Sequence, residues 1–347
     1  QTSNPKKAIS HFKRAIQIRR SQDNPVALAN NLGNLAIAHK KLGDYAKAID
    51  LMQEMIKIYK ENGIKHQLGN SIMHYANFLY YIGYEDKAYS YYLESLELCK
   101  SFNSLNSIGM IYRHLGLLEL NKNNASKAIE YLMKANKIHR EAKHQIAIEL
   151  TTTFLAQAYA QNKDFGNAAK YIDQAVTLTN RRKHDDTTNS YSEYYTLPSR
   201  CVKALITAST EGNNQEELDL LLNEIITLHN GKPIGRELWW LAKSYFILGN
   251  IDKAKKCQKL SQDDLHQKAE KIRDEVIRKD YLELPALHKD IFTPIEQLYN
   301  QKEPTISQDK EPSDEISNIF KFCPSCGFNN EKSFKFCPSC GSSLTQS

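Results

Sequence analysis

LAIAHKKLGDYAKA, residues 35–48, returns as YANFLYYIGYEDKA at 75–88, as LGLLELNKNNASKA at 115–128 and as LAQAYAQNKDFGNA at 155–168. The closing alanines belong to a longer series, Ala8, Ala48, Ala88, Ala128 and Ala168, spaced forty residues apart. Self-similarity at such a fixed interval marks a stack of identical structural units and takes precedence over any element-by-element reading. Each unit opens with a large residue beside a small one: Leu35 and Ala36, Tyr75 and Ala76, Leu115 and Gly116, Leu155 and Ala156. A polar turn follows, and four residues past each alanine comes a bulky side chain (Phe12, Met52, Tyr92, Leu132 or Ile172), then Ala15, Met55, Ser95, Ala135 or Ala175 three further on. That spacing writes an apolar stripe along a helix. A unit is therefore two helices joined by a short turn. A single pair cannot cover its own stripe, and stacking supplies the missing surface.

At these residues the chain resembles the tetratricopeptide repeat family, with LGDYAKAIDLM at 42–52 matching the family's turn and second helix. The forty-residue period is longer than the usual interval of about 34, as in the extended subclass similar to kinesin light chain. The resemblance implies an all-α fold, a right-handed solenoid of helical hairpins over residues 1–282. It begins with a truncated first repeat, which points to a missing upstream segment, and by analogy with similar repeat arrays the chain reads as the regulatory or sensing C-terminal part of a larger signalling protein, an ATPase, kinase or nucleotide cyclase. The register slips at RRKHDDTTNS (181–190), which reads as a loop, Pro198 is expected to open a helix, and a divergent repeat occupies about 185–230. LWWLAKSYFILGNIDKA at 238–254 restores the pattern, and a capping helix is expected over 255–280.

The resemblance also implies a scaffold that holds a protein or peptide in a concave groove lined by the first helix of each pair. Carrying the register along the chain places Asn30, Asn34, Asn70, Met73, His74, Asn77, Tyr81, Arg113 and His114 on or near that face. Asn34, His74 and His114 lie forty apart and would form a ladder. Side-chain amides offer both a donor and an acceptor to an extended backbone; the same groups can instead cap turns or bond to the next repeat. Gly33, Met73 and Thr153 stand where the family's carboxylate-binding members carry polar or basic clamp residues.

From Asn300 to Ser317 the sequence holds two prolines, seven charges and almost nothing apolar, too little to offset the entropy of ordering. Residues 283–315 read as a C-terminal extension and flexible linker. Beyond it, within 316–347, FCPSCG occurs twice. Cys323 and Cys326, then Cys337 and Cys340, form two two-residue-spaced pairs, each able to grip one side of a tetrahedral ion. Pro324 and Pro338 stiffen the knuckles, and Gly327 and Gly341 suit the turn beneath the metal. The segment resembles short zinc ribbons of the CPxCG type, implying one structural zinc; iron in a rubredoxin-like site is the alternative donor chemistry. Four thiolates leave no open position for catalysis.

Charge and composition narrow the rest. Of 347 residues 41% are hydrophobic and 25% charged, enough apolar content for a folded protein. No stretch reaches the roughly 20 apolar residues of a membrane span. The net charge of +6 is matched by Lys6, Lys7, Lys13, Arg14, Arg19 and Arg20, which fall in an opening segment without an acid. A nucleic-acid reading through this basic helix and the ribbon is the rival to protein binding, but Lys321, Lys332 and Lys335 against Glu331 give the ribbon few phosphate contacts. Cys99, Cys201 and Cys257 sit far apart in helical patterns, as reduced thiols of a cytoplasmic protein would. No phosphate loop, nucleophile elbow or HExxH is present, so no enzymatic activity is expected of this chain; its partners would be proteins or peptides, with neither nucleic acid nor membrane.

Overall fold

The computed structural model describes residues 5–22, 24–185, 191–210, 212, 215–228 and 235–300. The chain divides into two compact units, Gln1–Leu298 and Tyr299–Ser347, and the architecture below belongs to the first. Sixteen helices are described, and no strand occurs among the described residues.

The early helices follow a strict metre. α1 (Pro5–Ser21), α2 (Pro25–Lys41), α3 (Tyr45–Glu61), α4 (Lys65–Tyr81), α5 (Glu85–Ser101), α6 (Leu105–Asn121), α7 (Ala125–Glu141) and α8 (Gln145–Gln161) each have 17 residues. Their first residues, and that of α9 (Phe165–Asp185), are twenty apart. From α2 to α8 the turns close in one way. At the end of α2 the Gly43 amide donates to Lys40 O and the Asp44 amide to His39 O, the paired bonds of a Schellman cap, which requires a left-handed residue at its centre. That residue recurs as Gly43, Gly63, Gly83, Asn103, Asn123, Lys143 and Lys163, all at positive φ.

Packing alternates in the same metre. α2 pairs with α3, α4 with α5, α6 with α7, α8 with α9, and α12 (Gly235–Ile247) with α13 (Ile251–Glu270). The small partners of the sequence pattern, Ala36, Ala76, Gly116 and Ala156, are all buried where helices meet. A Cβ at Gly116 would lie 2.6 Å from Leu132 Cγ, so the close approach there depends on glycine. Tyr92, Leu132 and Ile172 fill the complementary space and are buried.

Three expectations are corrected beyond α8. α9 continues as helix to Asp185, so Arg181–Asp185 is not loop, while 186–190 lie outside the described residues. Pro198 lies inside α10 (Tyr191–Thr210) and does not open it. The capping helix is broken: α13 stops at Glu270, Lys271–Asp274 run as a connector, and α14 (Glu275–Glu283) begins behind an Asp274 cap whose Oδ1 accepts from the Ile277 amide. α15 (Ala286–Phe292) and α16 (Ile295–Asn300) follow, with Ile291 and Ile295 buried. Between α10 and α12 lies α11 (Gln215–Leu228).

The break has a tertiary cause. The connector and α14 return to the turns of the early hairpins. The Arg273 amide donates to Gly43 O at 3.0 Å and its guanidinium meets Asp44 at 3.0 Å. One repeat on, Tyr84 Oη donates to Asp280 Oδ2 at 2.8 Å, and the ring of Pro285 lies against Gly83. The Ala286 amide then reaches Glu85. Successive turns forty residues apart thus receive successive parts of one C-terminal segment.

Candidate functional site: the first-helix face and its C-terminal seam

The first helices α2, α4 and α6 carry the predicted contact residues, and the structure sorts them into two kinds. Asn34, His74 and Tyr81 are exposed, Tyr81 by 46%. Ile37, one turn from Asn34, is 54% exposed. Lys40 stands over the rings of Phe78 and Tyr81 at 4.9 and 5.0 Å, linking α2 to α4 by cation–π contacts. Although His74 is open to solvent at its edge, the neighbours crowded around its ring lower its pKa below the ordinary histidine value, the Lys40 charge adds to this, and the ring is neutral near pH 7.

The remaining residues are turned to internal use. Asn30 Oδ1 accepts from Tyr59 Oη at 2.8 Å, Asn77 Oδ1 from Tyr92 Oη at 2.7 Å, and Asn70 Oδ1 from Ser107 Oγ at 2.7 Å. The first two bonds tie a hairpin together and the third joins neighbouring repeats. Met73, expected on the face, is 3% exposed and belongs to the core. His114 does not continue the ladder of Asn34 and His74. It stacks on Tyr92 at 5.4 Å, meets Tyr80 edge-on at 5.9 Å, and its buried Nδ1 has no partner. Burial, with Arg113 and Arg236 nearby, pushes its pKa down to about 3. Arg113, half-buried, also helps hold His139 neutral, at about 4, after burial.

A cavity of about 280 Å³ lies at the seam where the C-terminal helices return. Tyr80, Tyr81, Glu85 and Asn121 line it from the early repeats; Arg236, Glu237, Asp264, Lys268, Tyr281 and His288 line it from the other side. Arg236 donates to Tyr80 Oη at 3.1 Å, bridging positions 156 residues apart. Asn121 Nδ2 donates to Glu85 Oε1 at 2.8 Å. Asp264 Oδ2 accepts from Lys268 at 2.6 Å and from the Gly235 amide at 2.9 Å. None of the far-side residues was predicted. They come from α12 to α15, and the single local hint is the charged pair Arg236–Glu237 placed directly before the apolar run LWWLA.

Family models for the Tetratricopeptide repeat match residues 1–61 and 153–181. Both matches fall on the hairpins just described. The chain carries tetratricopeptide repeats. Among solved structures, the tetratricopeptide array is similar to the apo form of RapI, with a TM-score of 0.65 and 16% identity over 76% of this chain and 92% of that one. It is also similar to the Rap conjugation gene regulator of the plasmid pLS20 in complex with the Phr* peptide, with a TM-score of 0.52 and 16% identity over 77% and 71% of the two chains. A third similar structure is a signal transduction ATPase with numerous domains and a tetratricopeptide repeat sensor from Pyrococcus horikoshii, with a TM-score of 0.52 and 17% identity over 77% of this chain and 42% of that one. At these identities the likeness is one of fold. No curated protein sequence matches the chain.

A zinc-ribbon domain model matches residues 322–344 and so spans Cys323, Cys326, Cys337 and Cys340. These cysteines lie outside the described residues. The donor set itself fits zinc, since two pairs of thiolates complete a tetrahedral shell. Cys99, Cys201 and Cys257 are buried free thiols, and burial raises the pKa of each, to about 12 for Cys257. No helix among the described residues is long and apolar enough to cross a membrane.

Proposed function

We propose that the chain is a binding scaffold that holds a peptide or an extended protein segment along the face formed by α2 and α4. The observation that carries this reading is the open row Asn34, Ile37, His74 and Tyr81 on adjacent first helices, polar groups interleaved with exposed apolar ones. Such a surface offers hydrogen bonds to a backbone and cover for its side chains, and it draws on more than one repeat because each supplies only a small patch. The similar plasmid regulator was solved with a peptide, and the similar ATPase uses its repeats as a sensor. Both support a regulatory or sensing role within a signalling protein.

The test is selection of peptides from a displayed library against the whole chain. Peptides so obtained should lose at least tenfold in affinity with His74→Ala combined with Tyr81→Ala, while the helical circular dichroism is unchanged. Selected peptides that ignore both substitutions, and protect no amides of α2 or α4 from hydrogen exchange, would refute the assignment.

The C-terminal segment has a structural role in the same reading. Cys323, Cys326, Cys337 and Cys340 would hold one zinc, whose contribution is to fold the ribbon; a four-thiolate shell leaves no position for water or substrate.

A further inference from the structure

The seam cavity has an imbalance of charge. Three carboxylates, Glu85, Glu237 and Asp264, line it against two cations, Arg236 and Lys268. Two of the carboxylates are engaged. Asp264 holds Lys268 and the Gly235 amide, and Glu85 uses one oxygen on Asn121 and the other on the Ala286 amide. Glu237 is different: it is only 8% exposed, and its Oε2 is buried with no hydrogen-bond partner. An acceptor left so is costly, about 1 to 3 kcal/mol and more for a charge. His288 does not supply the missing proton. Its Nδ1 lies 2.7 Å from Tyr281 O and so donates there, and burial keeps the ring neutral, with a pKa of about 4, which leaves Nε2 as a second acceptor.

We propose that this cavity takes one cationic group of a bound peptide, an ammonium or guanidinium, against Glu237. This deepens the peptide-binding reading above and rests on it. Once Glu237 is ionised, a cation brings the charge of the lining to balance and supplies the donor that Glu237 Oε2 lacks. An anion would add a fourth negative charge. The volume suits the end of one side chain or a peptide terminus, and the lining comes from both ends of the array, so the same group would fasten the early repeats to α12–α15.

Protonation follows the same geometry. Burial raises Glu237 to about 7. Around it stand Arg236 on its own helix, Asp264 and Lys268 on α13, and Cys201 on α10, whose thiol burial keeps protonated. Affinity for a cation should therefore climb between pH 6 and pH 8 as the carboxyl ionises.

Calorimetric titration of the full chain at 150 mM salt decides the matter with three probes: Ac-(Ala-Lys)3-NH2, the neutral Ac-(Ala-Gln)3-NH2, and (Ala-Gln)3-NH2 with a free amino terminus. At pH 8 a cationic probe should bind at least tenfold more tightly than the neutral one. Preference for the lysine peptide identifies a side chain as the source, and preference for the free amine identifies the terminus. Glu237→Gln should remove the preference to within about twofold, and Glu237→Asp should keep it, which separates loss of charge from loss of fold. If the neutral peptide binds as tightly as either cation, the cation assignment is wrong and the groove stands. If none of the three binds, both readings fall.

Discussion

Gly43→Ala probes the return of the C-terminal segment, and Gly63→Ala is its built-in control. Both glycines hold a left-handed turn, with φ of +78° and +66°. An alanine in that conformation costs about 1 to 2 kcal/mol at either site. At Gly63 nothing else happens, because no atom lies within 4 Å of the added Cβ. At Gly43 the Cβ would fall 1.8 Å from Lys271 O, a backbone atom that no rotamer change can move aside. The connector must shift, and with it goes the Arg273 amide bond to Gly43 O, about 1 kcal/mol. The Arg273–Asp44 pair adds little, since the arginine is largely exposed. Ile272, Ile277 and Tyr281, all buried in the docked segment, would lose part of their cover, and fully uncovering any one side chain of that size costs about 1.5 to 3 kcal/mol. Gly43→Ala should therefore destabilise by about 3 kcal/mol more than Gly63→Ala. Hydrogen exchange read by mass spectrometry should show faster exchange over 272–288 in the first variant alone. Equal stabilities for the two variants, with unchanged exchange in that segment, would refute the docking.

Other tests bear on the site and the tail. Asn77→Ala strands the buried Tyr92 hydroxyl and should cost about 1 to 3 kcal/mol in urea unfolding, whereas Asn34→Ala on the exposed row should stay within about 0.5 kcal/mol. Glu237 resists ionisation in the fold, so below pH 4.5 the folded and unfolded chains are both protonated there, and stability falls as pH rises from 4.5 to about 7. The loss is about 3 kcal/mol, and Glu237→Gln should abolish this slope; Trp239 and Trp240, buried in the same helix, report it by fluorescence. His114 runs in the opposite sense, its neutral form favoured by burial, so stability should drop as pH falls from 6.5 toward 3, and less so in His114→Gln. Elemental analysis should find one zinc per chain, lost in Cys323→Ser with Cys326→Ser while the helical signal of the array persists; absence of zinc from the native chain, or melting of the helices in the variant, would overturn the ribbon's independence.

The forty-residue period was legible because buried alanines and their large partners repeat as residue types. The true unit of the chain, twenty residues, was not. Its left-handed turn positions are written Gly, Gly, Gly, Asn, Asn, Lys and Lys, and lysine as a residue type marks no such turn. The helix break after Glu270 is equally silent, since KIRD contains no glycine or proline; docking on Gly43 imposes it. For the site, the register placed Asn30, Asn70 and Asn77 on the first helices but could not reveal what each oxygen meets. Tyr59, Ser107 and Tyr92 come from other helices, and they take up these oxygens. The seam cavity depends on pairs such as Tyr80 and Arg236, brought together by closure and by nothing in the local sequence.

Open repeat arrays gain and lose units freely in evolution, because each unit answers only to its neighbours. This array has surrendered that freedom. Lys271 must arrive at Gly43 while Pro285 arrives at Gly83, and inserting or deleting a forty-residue hairpin between them would carry the two ends past each other. The number of hairpins is therefore counted by the fold itself, and homologues that keep the hook should differ in surface residues and turn chemistry but not in length between Gly43 and Lys271.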